Sequence, residues 1–526
     1  MWRVLAALPQ KKTLPRKRLV RLGAVFTAML ASAIMLAACA SNPPAARNDF
    51  GPEGAYAWVN RLSWGANPAS VATATKMGRS AWLAQQLHPT DRVLPAAAQA
   101  QIDAMRISKE PMPVLLRELT ASNEAANALT DDAAKQAART AYQRELNELA
   151  QQAESRALLR SLYSPAQLQE QMTWFWLNHF SVFQGKRDIR ALVGDYEEQA
   201  IRPHALGRFR DLLGAVVRHP AMLRYLDNDQ NAVGRINENY ARELMELHTL
   251  GVDGGYQQAD VQTLAHVLTG LGVRVQEDDA KIRPALQTQY VHTGLFEFNP
   301  ARHDPAPKTL LGEPLKAQGL GEIDEALDRL ARHPSTAHFI ARKLATFFVS
   351  DEPPPALVDR VAKAFLCTDG DIAKTLKVLF DSPEFSASLA PANNGFKDPV
   401  HYVLSGVRLA YGDRPLEDTG PVLGWIRRLG QPRFGHVAPD GYPMVASAWN
   451  GSGQLATRFE VARAIGTTDR GLFGAAPPAP PSLSGPWFSQ YMAPRLSPAT
   501  RDALAQAKTA QEWNTFLLSS PEFMAR

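Results

Sequence analysis

After residue 38, the most apolar stretch of the chain is Met172–Phe180, which contains two Trp and two Phe side chains. It follows Ser164-Pro165-Ala166-Gln167, where Ser is a preferred N-cap, Pro suits the first helical position and Gln completes a capping box. A helix with so many large apolar side chains has to be enclosed by other elements. The sequence therefore predicts a buried central helix that begins at Ser164.

The remaining sequence also favours helices. Ala, Leu, Glu, Gln and Arg dominate long stretches, and runs of β-branched residues at period two are scarce. Residues 123–162 form a long polar, Ala-rich stretch with an apolar stripe that includes Leu146, Leu149 and Leu158. This stretch is either an arm that meets a partner or a solvated helix that packs one side on the body. We predict a mainly α, multi-helix globular fold with a long polar helix excursion and Pro-rich loops.

Capping signals place further helices. They predict a helix opened by Asn67-Pro68 with Ser70, one capped by Asn237 that runs through Leu250 and stops at Gly251, and two more over Asp260–Leu271 and Thr336–Val349.

The N-terminal region has the pattern of a secretory signal. Residues 1–21 carry seven basic residues and no acidic one, and Leu22–Ala38 follows with 17 uncharged residues of small or apolar type. An uncleaved membrane helix is the alternative, but 17 residues lie at the lower edge of what spans a bilayer. We predict a signal peptide over residues 1–38.

The end of this segment, Leu36-Ala37-Ala38-Cys39, resembles the bacterial lipobox, in which the cysteine thiol is acylated and the chain is cut before it. Cys39 is therefore the predicted lipidation site, and several palmitate-like chains together give stable membrane anchoring. Ala40 and Ser41 follow, with no Asp at the second mature position. In Gram-negative lipoproteins this pattern implies sorting to the outer membrane, so we expect an exported protein that is lipid-anchored there.

Removal of the signal changes the net charge. The whole chain has 57 basic and 52 acidic residues, and loss of the seven basic residues in the signal leaves 50, a net charge of −2. A nucleic-acid-binding domain would be expected to keep a basic excess. We therefore expect no nucleic-acid partner.

Composition divides the mature chain into four parts. Residues 39–54 are rich in Asn, Pro and Gly and are expected to be a tether. A helical domain is predicted over residues 55–470, a Pro-rich linker over residues 471–486, and a C-terminal helical piece that docks on the main domain over residues 487–526.

Several motifs resemble one bacterial family, the domain of unknown function 1800. They occur in order as Trp174–Phe180, Asn237–His248, Gly255-Tyr256 with Asp260-Val261, His303-Asp304 with Lys308, and His333–Ala337. The resemblance implies an exported protein, and a possible partner of sulfatase-like fold, because genes for such exported proteins often lie beside those of the family. It implies no activity.

The motif Asn237–His248 has polar side chains that share one helical face, namely Asn239, Arg242, Glu243 and Glu246. Arg242 is spaced for i,i+4 pairs with Glu238 and Glu246. Three interpretations remain open: a buried cluster in which one carboxylate serves as base or metal ligand, a structural polar network, and a surface face with weak ion pairs. Arg242, Glu243 and Glu246 are candidate catalytic residues under the first.

Three further candidates are His179, His303 and Asp304. His179 is the only ionisable residue within the apolar run Trp174–Phe183, where a hydrogen-bonded core role is the alternative. His303-Asp304 lies in a Pro-rich loop, and imidazole with carboxylate on a rigid loop suits metal binding or acid/base work. Loop-fixing hydrogen bonds are the alternative there. His248 is placed in the last turn of its helix, where the dipole stabilises histidine.

Common enzyme signatures are absent from the sequence: it has no His-Glu-x-x-His, phosphate loop, Gly-x-Ser-x-Gly or Cys-x-x-Cys motif. The leading hypothesis is an envelope scaffold or partner-binding lipoprotein. The alternative is a hydrolase or lyase acting on envelope or extracellular polymers, whose site would unite the His, Glu and Asp candidates, with a divalent metal as a possible cofactor and no nucleotide cofactor. Carbohydrate binding by exposed Trp and Tyr is a third reading.

Overall fold

The chain has the mainly α architecture that its composition predicts. The structure is a computed structural model that describes residues 52–391, 395–468, 470–474 and 479–526. The helices up to residue 267 are α1 (Pro52–Leu62), α2 (Pro68–Met77), α3 (Arg79–Leu87), α4 (Ala96–Ala104), α5 (Arg106–Lys109), α6 (Met112–Ala128), α7 (Asp132–Tyr163), α8 (Gln167–His179), α9 (Ile189–Asp195), α10 (Phe209–Arg218), α11 (Pro220–Tyr225), α12 (Asn239–Glu246) and α13 (Gln258–Val267).

Short strands follow, and then a second set of helices. The strands are β1 (Leu271–Val273), β2 (Val291–Thr293), β3 (Phe296–Phe298), β4 (Thr309–Leu310) and β5 (Glu313–Pro314). They pair antiparallel, in a three-stranded sheet of order β1-β3-β2 and a two-stranded sheet β4-β5. The later helices are α14 (Leu320–Ala331), α15 (Pro334–Phe348), α16 (Pro355–Cys367), α17 (Ile372–Phe380), α18 (Pro383–Ser388), α19 (Pro399–Tyr411), α20 (Gly420–Arg428), α21 (Ser452–Thr467), α22 (Pro486–Tyr491), α23 (Pro498–Ala505), α24 (Ala510–Leu518) and α25 (Pro521–Met524).

The predicted central helix is α8, and its side chains are almost all buried. Its start differs from the prediction. The preceding helix α7 continues to Tyr163, so Ser164 is the C-cap of α7 rather than an N-cap. Gln167 does not close a capping box; its side chain donates to the carbonyls of Ser161 and Ser164 and accepts from the Trp64 N–H. Tertiary contacts have replaced the local cap.

The long polar stretch is a helical hairpin instead of one helix. Helix α6 ends at Ala128, and Asp131 caps α7 by accepting a hydrogen bond from the Ala134 N–H at 2.7 Å. The hairpin tip, residues 127–141, is exposed at nearly every position, whereas the second half of α7 is buried in the body. The predicted excursion is therefore present, but it contains a turn between Ala128 and Asp132 that the helix-favouring composition did not predict.

The motif helix α12 is shorter than predicted. Asn237 does accept a hydrogen bond from the Asn239 N–H at 2.9 Å, but α12 ends at Glu246, four residues before Leu250. His248 therefore lies beyond the helix, in a turn that Gly251 closes with φ near 84°. Helix α13 also ends early, at Val267, because Leu271 joins the three-stranded sheet. The prediction of α15 over Thr336–Val349 differs from the structure by only a few residues.

The C-terminal residues pack closely on the rest. Helix α24 lies along α21, and Asn514 donates to the carbonyls of Gly466 and Pro481. Lys397 donates through its Nζ to the carbonyl of Phe523 at 2.7 Å. The described chain from Pro52 onward belongs to one compact unit. Within its described ranges, no helix combines the length and the apolar character needed to cross a membrane.

Candidate functional site

His179 lies at the end of α8 and has both ring nitrogens occupied. Its Nε2 is 3.1 Å from the carbonyl oxygen of His248, which can only accept, so Nε2 carries the proton. Nδ1 is then an acceptor, and the Nζ of Lys343 on α15 donates to it at 3.0 Å. Burial lowers the pKa of His179 well below its usual range, and the nearby Lys343 charge adds to this effect. His179 is thus a neutral, hydrogen-bonded core residue.

Two fully buried polar residues continue from His179: the His248 ring lies beside it, and the Tyr240 ring lies beside His248. Neither ring nitrogen of His248 nor the hydroxyl of Tyr240 has a hydrogen-bond partner in the described part of the chain. The His248 ring lies 5.1 Å from the ring of Phe180, between centroids. Burial lowers the pKa of His248 to about 3, so the ring is neutral. We call His179, His248, Tyr240 and Lys343 the His179 cluster; unpartnered groups of this kind are rare in folded proteins.

Helix α12 presents its charged face beside this cluster. Arg242 pairs with Glu238 at 3.3 Å and with Glu246 at 3.4 Å, as the spacing predicts. Glu243 is half-buried, and burial together with the charges of Glu246 and Asp440 raises its pKa, against the effect of Arg242. The face is therefore partly enclosed. Of the three interpretations of this helical face, a structural polar network fits the geometry better than a surface face with weak ion pairs does.

Asp440 and Lys343 were not among the sequence candidates. A loop brings Asp440 to the cluster: the Asn178 side chain exchanges two hydrogen bonds with the backbone of Tyr442, at 2.7 and 2.9 Å. Gly441 has φ near 76°, and a Cβ there would overlap the carbonyl oxygen of Asn178. The dipeptide Asp440-Gly441 is a turn signal visible in the sequence, but nothing local indicates that the turn lies against α8.

A second site surrounds His303 and Asp304. His303 is buried and donates through Nδ1 to the carbonyl of Thr269 at 2.9 Å, while its Nε2 lies 3.3 Å from a carboxylate oxygen of Glu322. Lys308, also buried, donates to the same oxygen at 2.9 Å and to the carbonyls of Asp304 and Ala306. Every charged group in this core has a partner of opposite charge or a hydrogen bond.

Asp304 connects this core to a second histidine. His266, near the end of α13, donates through Nδ1 to the Asp304 carboxylate at 2.6 Å, and its side chain is 41% exposed. Partial burial alone would raise the pKa of Asp304, but hydrogen bonds from the Ala306 N–H and from His266 outweigh it and lower the pKa. We call His266, His303, Asp304, Lys308 and Glu322 the His303 network.

A cleft of about 440 Å³ is lined by three residues of this network, His303, Asp304 and Glu322. Its most buried lining side chains are His303 and Glu322. The remaining lining mixes polar and apolar groups, among them Arg283, Gln289, Gln318, Val233 and Leu286. We call this cavity the His303 cleft; its volume is in the range that holds small ligands or a segment of a polymer.

The structure divides the six catalytic candidates between the two places. Arg242 donates to Gln258 at the start of α13, whereas Asp304 accepts from His266 near the end of that helix. Eight residues of helix separate these contacts by about 12 Å. Arg242, Glu243 and Glu246 share helix α12 with Tyr240, which contacts His248 of the His179 cluster. His303 and Asp304 lie with Glu322, Lys308 and His266, which sequence reasoning did not assign to a site.

The described side chains do not form a set of metal ligands. Across the described ranges, no three or more His, Cys, Asp or Glu side chains are grouped to hold a metal ion. The predicted lipidation site Cys39 lies outside the described residues, as do the signal peptide and nearly all of the predicted tether.

A mainly α, multi-helix protein is thus defined, with a buried histidine cluster around His179 and a separate histidine–carboxylate network around His303. The chain belongs to the family described as Protein of unknown function (DUF1800), whose model matches residues 57–525. The resemblance seen in the motifs is confirmed over nearly the whole chain. The comparisons found no match among curated proteins and none among solved structures.

Proposed function

We propose that this protein is an exported lipoprotein, anchored through Cys39 at the outer membrane, that carries out acid/base hydrolysis or elimination on an envelope or extracellular polymer in the His303 cleft. The observation that carries the proposal is the 2.6 Å contact between the partly exposed His266 and Asp304, because Asp304 lines that cleft. A histidine whose Nδ1 is held by a carboxylate presents its Nε2 as a base.

The roles follow from the contacts. His266 accepts a proton through Nε2 from a water or a substrate group, and Asp304 stabilises the imidazolium that forms. As the bond to the leaving oxygen breaks, the imidazolium returns the proton to that oxygen. The lowered pKa of Asp304 supports its remaining ionised throughout. His303, Glu322 and Lys308 hold the loop that carries Asp304, because Lys308 donates to the Asp304 carbonyl and Glu322 joins Lys308 to His303. They are positioning residues.

The membrane-anchored location is proposed from residues 1–41 of the sequence. The basic segment, the 17 uncharged residues and the lipobox-like ending support export and acylation. Metabolic labelling with a clickable palmitate analogue tests this part: the wild-type protein should be labelled in the outer-membrane fraction and a Cys39→Ser variant should not. Label on both would contradict the anchor at Cys39.

The enzymatic part is tested by product release. Purified mature protein is incubated with peptidoglycan sacculi and with capsular and extracellular polysaccharide, and soluble products are measured by mass spectrometry. The His266→Gln variant should lose at least about 100-fold in rate, the usual contribution of a general base. Asp304→Asn should also lose activity, because it no longer fixes the proton on Nδ1.

His338→Gln is the matched control. His338 also lies near an aspartate, Asp359, at 3.4 Å, but both side chains are exposed, so water competes for their hydrogen bonds. Its rate should equal that of the wild type. Release of no product from any polymer, or equal rates for His266→Gln and wild type, would refute the enzymatic proposal.

The hairpin of α6 and α7 favours a second candidate, an envelope scaffold that binds a partner such as an exported sulfatase-like protein. Nearly every residue of its tip is exposed. One of the contacts that hold the tip is the hydrogen bond that the Nζ of Lys135 donates to the carbonyl of Asn127 at 2.9 Å. Crosslinking from a photoreactive residue at position 133 in cells tests it. A single crosslinked partner that is lost when the probe moves to buried position 153 supports the scaffold; no crosslink opposes it.

A further inference from the structure

A second large cleft lies on another part of the surface, with a volume of about 550 Å³. It is formed by the middle of α7, the loop before α9, α9 itself and α20. Its polar lining consists of Asn147, Gln151, Glu154, Gln184, Arg190 and Arg427. We call it the Glu154 cleft. None of the sequence candidates belongs to it, and it shares no lining residue with the His303 cleft.

Two guanidinium groups line the cleft. Arg190 donates to the side-chain oxygens of Asn147 at 2.7 Å and Gln143 at 2.5 Å, both neutral amides. In the described part of the chain no carboxylate lies within ion-pair distance of Arg190. These two amides fix the orientation of its planar group without neutralising its charge. Arg427 is 60% exposed and has one acidic contact, Glu154 at 3.3 Å.

Glu154 is the deepest polar group of the cleft and is nearly fully buried. One carboxylate oxygen accepts from Gln184 at 3.3 Å and the other from Arg427 at 3.3 Å. Behind it lies a small cavity of about 30 Å³ with an apolar lining that includes Leu158, Trp174 and Leu404. Burial raises the pKa of Glu154, although Arg427 and Gln184 oppose that rise. A buried carboxyl at the base of a polar cleft is a strong hydrogen-bonding point for a ligand.

We propose that the Glu154 cleft binds an acidic saccharide, whose carboxylate lies against Arg190 and Arg427 and whose hydroxyl groups bond the side chains of Gln151, Gln184 and Glu154.

The mixture of groups favours this ligand class over a simple anion. Guanidinium groups match carboxylates in a planar, two-bond geometry. Amide side chains both donate and accept, which is what a row of hydroxyl groups requires. Ala150 and the half-buried Leu423 add apolar surface that can meet the face of a sugar ring. An inorganic anion would use the two guanidinium groups and leave most of a 550 Å³ cleft unused.

The test is calorimetric titration of the purified mature protein with trigalacturonic acid, which carries a carboxylate on each sugar. Maltotriose is the uncharged reference and sodium sulfate the inorganic one. We expect binding of trigalacturonate, with affinity for maltotriose and for sulfate at least tenfold weaker. The Arg427→Gln and Arg190→Gln variants should each weaken trigalacturonate binding at least tenfold.

Arg144→Gln is the matched control, since Arg144 lies on the same helix, is 81% exposed and pairs with Glu148; its affinity should equal that of the wild type. Arg190 also holds α7 through its bonds to Asn147 and Gln143, so the Arg190→Gln variant could fail to fold. The Arg427→Gln variant then provides the test, because Arg427 is exposed. The proposal is overturned if trigalacturonate does not bind, if maltotriose or sulfate binds equally well, or if Arg427→Gln leaves the affinity unchanged.

Discussion

The His179 cluster and the His303 network contain similar residues, yet their surroundings differ. In the first, the fully buried side chains of His248 and Tyr240 find no hydrogen-bond partner among the described residues, and Lys343 donates to a neutral imidazole. In the second, Lys308 and His303 share the carboxylate of Glu322 beside an open cleft. Perturbed pKa values alone would favour the first as a functional site. Access for a ligand and a partly exposed histidine held by a carboxylate favour the second.

The buried lysine of the His303 network, Lys308, gives the sharpest test of this contrast. Lys308→Met removes the cation from Glu322 and the donor from two carbonyl groups, leaving a buried carboxylate with only His303. Breaking a buried pair in this way costs about 3–5 kcal/mol of the free energy of unfolding. Urea unfolding measures it. Lys374→Met, at an exposed pair with Asp371, should cost less than about 0.5 kcal/mol. Equal costs for the two variants would contradict the described network.

The loop that carries Asp440 depends on one glycine. Gly441→Ala adds a Cβ that overlaps the Asn178 carbonyl at a positive φ, so the loop must move from α8. We expect a loss of about 2 kcal/mol in stability, in the range for local backbone strain. Gly255→Ala is the control, because its φ of 84° is similar and no atom of the described residues lies within 4 Å of the added Cβ. If both variants lose the same free energy of unfolding, the close approach of residue 441 to Asn178 does not affect stability.

The pH dependence of stability reports on the buried histidine. The pKa of His248 is lowered to about 3 by burial, whereas the unfolded chain binds its proton near pH 6.5. The unfolded state therefore holds more protons between these values, and the free energy of unfolding falls as the pH drops from about 6.5 towards 3. The contribution is about 1.4 kcal/mol per pH unit. His248→Phe should reduce the measured slope between pH 6.5 and 4.5 by about that amount; an unchanged slope would mean that His248 is accessible to protons.

The smallest effect is expected at Lys343. Burial lowers its pKa to about 8, below the unfolded value near 10.4, so wild-type stability rises with pH between these values. Lys343→Met removes a charge that has no carboxylate within ion-pair distance among the described residues. The cost at pH 7 should stay below about 1 kcal/mol, and the alkaline rise should disappear. A cost as large as that of Lys308→Met would show that Lys343 is paired as tightly as Lys308.

Sequence reasoning captured the features that neighbouring residues determine. Asn67 and Ser70 form the reciprocal cap that opens α2, and Arg242 makes both i,i+4 pairs. Partners that lie far apart in the chain were missed. Lys343 is 164 residues from His179, and His266 is 38 residues from Asp304. Such contacts depend on how helices pack, and no local spacing encodes them.

Helix ends were missed for the same reason. The turn after Ala128 and the early end of α12 occur within sequences that favour helix, so propensity predicted continuation. At α12 the carbonyl of His248 is taken by His179 and Thr249 donates to Leu244, contacts that a continued helix would break. Tertiary packing decided the end of the helix.

The most direct measurement of the central claim compares the two regions in one assay. Product release from the polymer that the wild-type protein cleaves is followed for His266→Gln and for Glu243→Gln, with unfolding temperatures recorded for both. The account predicts that His266→Gln loses at least about 100-fold more rate than Glu243→Gln while both remain folded. Loss of activity in Glu243→Gln with activity retained in His266→Gln would contradict it and move the site to the helix α12 face.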